Sequence, residues 1–247
     1  MIFSSLFSKK NELKDALSFI GTDMHSHLLP ELDDGIQSLE DTISFIKELQ
    51  VLGYKKLICT PHVITDVHAN SAETILPKLE LVRKTLKEQN IDIEIDAAAE
   101  YMVDYEFERK LKSKEPFLTM GDNYILIEMS YATPHQNIEN VIFDLNIAGY
   151  KPILAHPERY GYYHFNYDFY ATLRSRGCLF QLNMLSLSGH YGKPVKKIAE
   201  RLIKDNAVEF VGTDMHHVNH LAITKSFAGS GDVAKALKGV ELWNKFL

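Results

Sequence analysis

Basic charge is in short supply in this chain. It sets 27 lysines and arginines against 33 acidic side chains, a formal net charge of −6. A surface built for polyanions needs the opposite balance, so no nucleic acid is expected as a partner. Cysteine is scarce too. Cys59 and Cys178 form no framework pattern and fit a reducing compartment, so the expected location is cytoplasmic. Long apolar runs are missing, which argues against membrane insertion. The apolar opening from Met1 to Phe7 lacks a basic flank and a long core, unlike a signal peptide. No low-complexity tract, linker or long charge run divides the sequence. It reads as a lead-in helix over residues 1–20 followed by a single domain over 21–247.

What is present is an ordinary globular composition, 45% hydrophobic and 24% charged, with one unusual count, eleven histidines. The lead-in carries Leu13, Ala16, Leu17 and Ile20 at helical spacing. After it a pattern recurs: a short apolar run ends in polar residues, and an amphipathic helix follows. The first helix opens with a capping box from Ser38 to Asp41 and closes at Gly53. Lys56–Thr60 stops at Pro61-His62, and a helix is expected from Glu73 to Glu88. Ile91–Asp96 leads into Ala98-Ala99-Glu100, and a charged segment from Asp104 to Lys114 reads as a helix. Tyr124–Ile127 ends at Glu128, Lys151–Ala155 at His156, Cys178–Leu182 at Asn183, and Val208–Gly212 at Asp214-Met215-His216. Helices are expected from Ile138 to Gly149 and from Pro194, and the stretch beyond His216 reads as helical to Leu247.

About seven strands alternating with helices imply parallel pairing and right-handed crossovers. In one domain that favours a closed or nearly closed α/β barrel over an open sheet. Barrels of this kind gather their chemistry at the carboxyl ends of the strands. Those ends carry His25, His27, His62, Glu100, Glu128, His156, Asp214 and His216, with Asp34 in the loop after the first strand. His25 and His27 at i, i+2 share one strand face, and Asp214 with His216 repeats the spacing. Singly, each has an ordinary explanation. A histidine beside proline is often a turn residue, and a glutamate at a strand end is often a cap or half of an ion pair. Together at one rim they read as a metal centre with nitrogen and oxygen donors.

The motifs Asp23-Met24-His25-Ser26-His27, Asp33-Asp34-Gly35, Thr60-Pro61-His62, Ala99-Glu100-Tyr101, Leu126-Ile127-Glu128, His156-Pro157-Glu158-Arg159-Tyr160 and Asp214-Met215-His216 resemble those of the PHP (polymerase and histidinol phosphatase) domain. Within that family they are most similar to the bacterial tyrosine phosphatases of capsule and exopolysaccharide operons. The resemblance implies a distorted TIM-like (β/α)7 barrel with three divalent ions. The first would take His25, His27, Glu100 and Asp214. The second would share Glu100 and add Glu128 and His156, and the third would take Asp34, His62 and His216. Manganese is the expected ion, although the donors also suit iron or zinc. Paired divalent ions about 4 Å apart can generate a hydroxide nucleophile and set it in line with phosphorus. The implied reaction is hydrolysis of a phosphotyrosine protein, the tail of a cytoplasmic tyrosine kinase that regulates polysaccharide export.

Arg159 follows His156 closely and could clamp phosphate oxygens; the alternative is an ion pair with Glu158. Close relatives often carry a second arginine after the Asp-x-His motif, where this chain reads His217-Val218-Asn219-His220. His220 could take its place, or be an exposed loop histidine. Cys59 is expected to pack rather than to ligate. Neither cysteine is followed six residues on by arginine, which excludes the cysteine-based phosphatases. Phosphate-binding loops and serine-hydrolase elbows are missing as well. The remaining alternatives are a small-molecule phosphatase such as one acting on histidinol phosphate, a nuclease, a metal-dependent amidohydrolase, and a barrel with structural metals only.

Overall fold

The computed structural model describes residues 13–247. The first twelve residues of the expected lead-in helix lie outside the described ones. From Asp15 to Ile20 the chain runs in successive turns, with Leu17 and Ile20 buried and the Leu17 N–H donating to Leu52 O at 2.7 Å.

Every named strand pairing is parallel. Strands β1 (Thr22–Asp23), β2 (Lys56–Cys59) and β4 (Glu94–Ala97) form one sheet in the order β1-β2-β4. A second sheet runs β3-β5-β6-β7-β8-β9, where β3 is His62–Val63, β5 Glu100–Met102, β6 Tyr124–Glu128, β7 Lys151–Ala155, β8 Leu179–Asn183 and β9 Phe210–Gly212. The split into two sheets has a local cause. Pro61 has no N–H to give to a ladder, and the chain breaks there between β2 and β3. Ala98-Ala99 lies between β4 and β5. Backbone bonds still span the gap, from Ala98 N–H to Cys59 O at 2.9 Å and from Glu100 N–H to Pro61 O at 3.1 Å. At the far edge the chain after β9 meets the chain after β1. Asp214 N–H donates to His25 O, His27 N–H donates to Met215 O, and Ser26 and Met215 form a parallel bridge. The result is an α/β fold built on a curled parallel sheet.

Helices α1 (Leu39–Val51), α2 (Ala72–Glu88), α3 (Tyr105–Lys112), α4 (Ile138–Ile147), α5 (Asp168–Ser175), α6 (Met184–Ser188), α7 (Lys193–Lys204), α8 (Val218–Gly229) and α9 (Asp232–Ala236) fill the connections. The expected signals fix several of their ends. Asp41 N–H donates to Ser38 Oγ at 3.0 Å, and Gly53, at φ +105°, lets the chain leave α1. The chain beyond His216 is not helical throughout. After α9 it turns under the sheet, because Trp243 and Leu247 have an apolar layer to cover there. Asn244 anchors that turn by donating to Thr22 O and Val211 O and accepting the Val211 N–H.

Strands buried on both faces read as continuous apolar runs, as Ile125-Leu126-Ile127 does. One face of each, Leu57, Ile125, Ile127, Leu154 and Leu182 among them, packs under the helices. The other face forms an inner layer of Met24, Ile58, Ala98, Leu126, Ile153, Ala155 and Phe210. One layer further along the same strands the inner residues become polar.

Candidate metal centre and active site

At the carboxyl ends of the strands the fold brings all nine expected donors into one region. His25, His27, Glu100, Glu128, His156 and Asp214 are buried, His62 and His216 are nearly so, and Asp34 stands at the exposed rim. Glycine makes room for two of them. A Cβ on Gly212 would lie 2.6 Å from His25 Cβ, and one on Gly35 would lie 2.3 Å from His27 O. His156 and Asp214 are held at φ +35° and +50°, left-handed geometry that costs energy in a residue with a Cβ and is common at functional sites.

The donor atoms of His25, His27 and Glu100 are spaced as ligands, and Asp214 approaches both imidazoles. His25 Nε2 lies 3.3 Å from His27 Nε2, 3.2 Å from Glu100 Oε2 and 3.4 Å from Asp214 Oδ1. His27 Nε2 lies 3.4 Å from each of the same two carboxylate oxygens. Donors about 2.1 Å from a shared ion in a tetrahedral array stand about 3.4 Å apart. His62 Nδ1 faces Glu100 Oε2 at 3.0 Å and Glu128 Oε1 at 2.9 Å, while its Nε2 points to Asp34 Oδ1 at 3.7 Å. His216 Nε2 approaches the same Asp34 oxygen at 3.6 Å, and His156 Nε2 lies 2.9 Å from Glu100 Oε1. Thus His62 touches two groups, one with Glu100 and Glu128 and one with His27, Asp34 and His216, while His156 also groups with His25 and Asp214.

Without a cation this arrangement is electrostatically incomplete. His62 Nδ1 is buried within 3.0 Å of Glu100 Oε2 and 2.9 Å of Glu128 Oε1, yet none of the three atoms makes a well-aligned hydrogen bond. Buried polar atoms rarely stay unpaired. Burial, and then the neighbouring Glu100 carboxylate, push the Glu128 pKa up to about 7. Burial opposes charging His25, but Glu100 and Asp214 outweigh it and raise its pKa. A divalent ion among these atoms would reverse both strains, so the residues fit a metal.

Further residues hold the donors in place, and the sequence reading passed over them. Asp33 accepts from His27 Nδ1 at 2.7 Å, and also from the Gly35 and His62 N–H groups. Gln181 Nε2 donates to Leu182 O, which turns its Oε1 toward His25 Nδ1 at 2.8 Å. Both histidines therefore present an Nε2 lone pair to the cluster. A glutamine inside the apolar run Cys178–Leu182 was the available signal; Asp33 was masked by its neighbour Asp34. Cys59 is fully buried, and burial pushes its thiol up to about 12.

Arg159 ends a short 3-10 turn, Pro157–Arg159, directly after His156. It pairs with Asp214 Oδ2 at 2.8 Å rather than with Glu158, whose carboxylate instead accepts from Asn183 N–H and Ser186 Oγ. Asn183 Nδ2 also donates to Asp214 Oδ2, at 2.9 Å. His220 is not an exposed loop residue: it is buried in the first turn of α8, with Nδ1 3.2 Å from Asp214 O. Arg159 and His220 join Asp34, His62, His156, Asp214 and His216 in lining one cavity of about 250 Å³.

The profile of the family described as "Capsular polysaccharide synthesis, CpsB/CapC" matches residues 21–224. The chain belongs to this family. It is 31% identical over 197 residues to the tyrosine-protein phosphatase YwqE of Bacillus subtilis, covering 79% of this chain and 77% of that one. With the tyrosine-protein phosphatase CpsB of Streptococcus pneumoniae it shares 29% over 202 residues, 80% of this chain and 83% of the other. A crystal structure from the study of YwqE and CpsB, described there as metal-dependent tyrosine phosphatases, superposes with a TM-score of 0.79 at 28% identity, over 91% of this chain and 90% of its own. The lactonase Lmo2620 of Listeria monocytogenes shares the fold alone, with a TM-score of 0.54 at 11% identity over 93% and 94% of the two chains.

Proposed function

We propose that this family member is a metal-dependent protein-tyrosine phosphatase of capsule or exopolysaccharide synthesis. The observation that carries the reading is the buried set of His25, His27, Glu100 and Asp214, in which each imidazole Nε2 lies 3.2–3.4 Å from an oxygen of both carboxylates, with Arg159 beside it on the cavity wall. Its relatives' activity and metal dependence point the same way.

In this reading His25, His27, Glu100 and Asp214 hold one divalent ion. Glu100, Glu128 and His156 would hold a second, and Asp34, His62 and His216 would hold a third. Manganese is the proposed ion, with iron and zinc compatible with the donors. When bound, such ions activate water and neutralise phosphate charge. The chain's own part is positional. Asp33 and Gln181 fix the tautomers of His27 and His25. Arg159 offers its free guanidinium edge to the phosphate oxygens, where charge grows in the transition state. His220 supports the phosphate or the departing oxygen in place of a second arginine. The phenol of tyrosine, with a pKa of about 10, leaves with less protonic help than an alkanol needs.

The fold accommodates this as a seven-stranded distorted TIM-like barrel within a single domain over residues 21–247. Counting β2 with β3 and β4 with β5 as interrupted single strands, and the Ser26–Met215 bridge as the closing contact, supports that number. The proposed substrate is the tyrosine-rich tail of a cytoplasmic kinase, met in the cytoplasm. Among the described residues no helix is long and apolar enough to cross a membrane. The test is metal-reconstituted protein offered phosphotyrosine peptide, histidinol phosphate and an acyl-amide panel. Turnover of the first, lost in His156→Ala with the fold intact, is expected. Preferential turnover of either other substrate would overturn the proposal.

A further inference from the structure

Arg159 is held by more than its ion pair. Its guanidinium carbon lies 4.8 Å above the ring of Tyr131 and 4.2 Å above that of Tyr191. The two rings come from different loops, Tyr131 after β6 and Tyr191 between α6 and α7. Two aromatic rings thus stand beside the guanidinium, and part of its hydrogen-bonding edge is already engaged by Asp214. Neither ring is free to drift. Tyr131 stacks on the fully buried Tyr160 at 5.6 Å and lies tilted against His156 at 5.7 Å. Asn183 Nδ2 donates to the Tyr191 hydroxyl at 3.2 Å.

The same two rings wall the cavity, yet they differ in exposure. Tyr191 is partly buried, whereas Tyr131 is 47% exposed at the mouth. A cavity of about 250 Å³ is smaller than the ~300–1,000 Å³ typical of drug-sized ligands, so it suits one phosphorylated side chain. With the phosphate against Arg159, an ester group directed to the mouth passes the ring of Tyr131, whose hydroxyl lies 3.3 Å from His156 Nδ1. An edge of one aromatic ring against the face of another is a favoured arrangement.

We infer that Tyr131 and Tyr191 clamp Arg159 for phosphate binding, and that Tyr131 also contacts the leaving ring and so selects aryl over alkyl esters. The inference rests on the phosphatase reading for its substrate class. Tyr191 is a positioning residue and Tyr131 a specificity residue. Cation–π contact with both rings keeps the guanidinium plane fixed in a chain whose cavity is lined by one arginine.

The experiment measures calorimetric affinity of the manganese-loaded protein for phenylphosphonate and methylphosphonate, neither of which can be hydrolysed. Tyr131→Leu is expected to lower the aryl-to-alkyl affinity ratio about 2- to 10-fold, and Tyr131→Phe to keep it. Tyr191→Leu is expected to weaken both ligands by a similar factor, with Tyr191→Phe restoring them. An unchanged ratio in Tyr131→Leu, unchanged affinities in Tyr191→Leu, or no phosphonate binding at all would overturn the clamp. Failure of the phosphatase reading would look different: no turnover of phosphotyrosine peptide by a protein whose affinity ratio still responds to Tyr131.

Discussion

The two ends of the curled sheet are built from the same strands and obey opposite rules. Toward the amino ends the inner side chains are Met24, Ile58, Leu126, Ile153 and Phe210, an apolar layer closed from below by Trp243 and Leu247. The polar groups there are satisfied, as the three hydrogen bonds of buried Asn244 show. One to four residues further along, the chain places His25, Glu100, Glu128, His156 and Asp214, equally buried, and leaves Glu100 Oε2 and Glu128 Oε1 unpaired. Packing alone accounts for the lower layer. The upper layer is costly without a cation, because the Glu100 and Glu128 carboxylates repel each other in a dry space and leave oxygens unpaired. One end of the sheet is built for stability, and the other holds its donors in place for chemistry.

Substitutions at the two ends should therefore separate activity from stability. The largest effect is expected at the top: Glu100→Ala should reduce phosphotyrosine turnover by about 10³-fold or more, while circular dichroism shows an intact fold. Arg159→Ala should follow, with a loss of about 10²–10³-fold in kcat/KM, read with saturating manganese. At the bottom the pattern inverts. Phe210→Ala should cost about 3–5 kcal/mol in urea unfolding, with the specific activity of the folded fraction little changed. Asn244→Ala, which leaves the Val211 N–H without its side-chain acceptor, should cost about 1–3 kcal/mol. A loss of turnover in Phe210→Ala that exceeds its loss of folded protein would break the division.

The smallest effect concerns the thiols. Burial pushes Cys59 and Cys178 each up to about 12, so both stay protonated and enclosed at pH 8. Iodoacetamide at that pH should leave the native protein unlabelled and fully active, with labelling appearing only in denaturant. Inactivation accompanied by labelling would mean that a cysteine serves the reaction after all.

Eight of the nine candidate donors were legible because each stands where an apolar run stops, a pattern that needs no knowledge of contacts; Asp34 follows in the loop after the first strand. Their supports were not. Asp33 and Gln181 owe their roles to partners far along the chain, Gln181 to His25 across the sheet and Asp33 to the backbone of His62. Tyr131 and Tyr191 lie in loops without periodicity, so nothing local brings them to Arg159. The helix expected to run on to Leu247 failed for a related reason. Helical spacing marks an amphipathic segment, but the apolar layer that draws Trp243 and Leu247 beneath the sheet is a tertiary demand.

The central claim is that the buried imidazole–carboxylate cluster binds divalent ions and that this binding confers phosphotyrosine hydrolysis. Its most direct test is a titration of metal-free protein with manganese, following turnover of a phosphotyrosine peptide and the thermal midpoint in the same samples. The account predicts no turnover at the start, then a rise in turnover that saturates together with a rise in the midpoint. Turnover in the metal-free protein, or a midpoint that ignores manganese while activity appears, would contradict it.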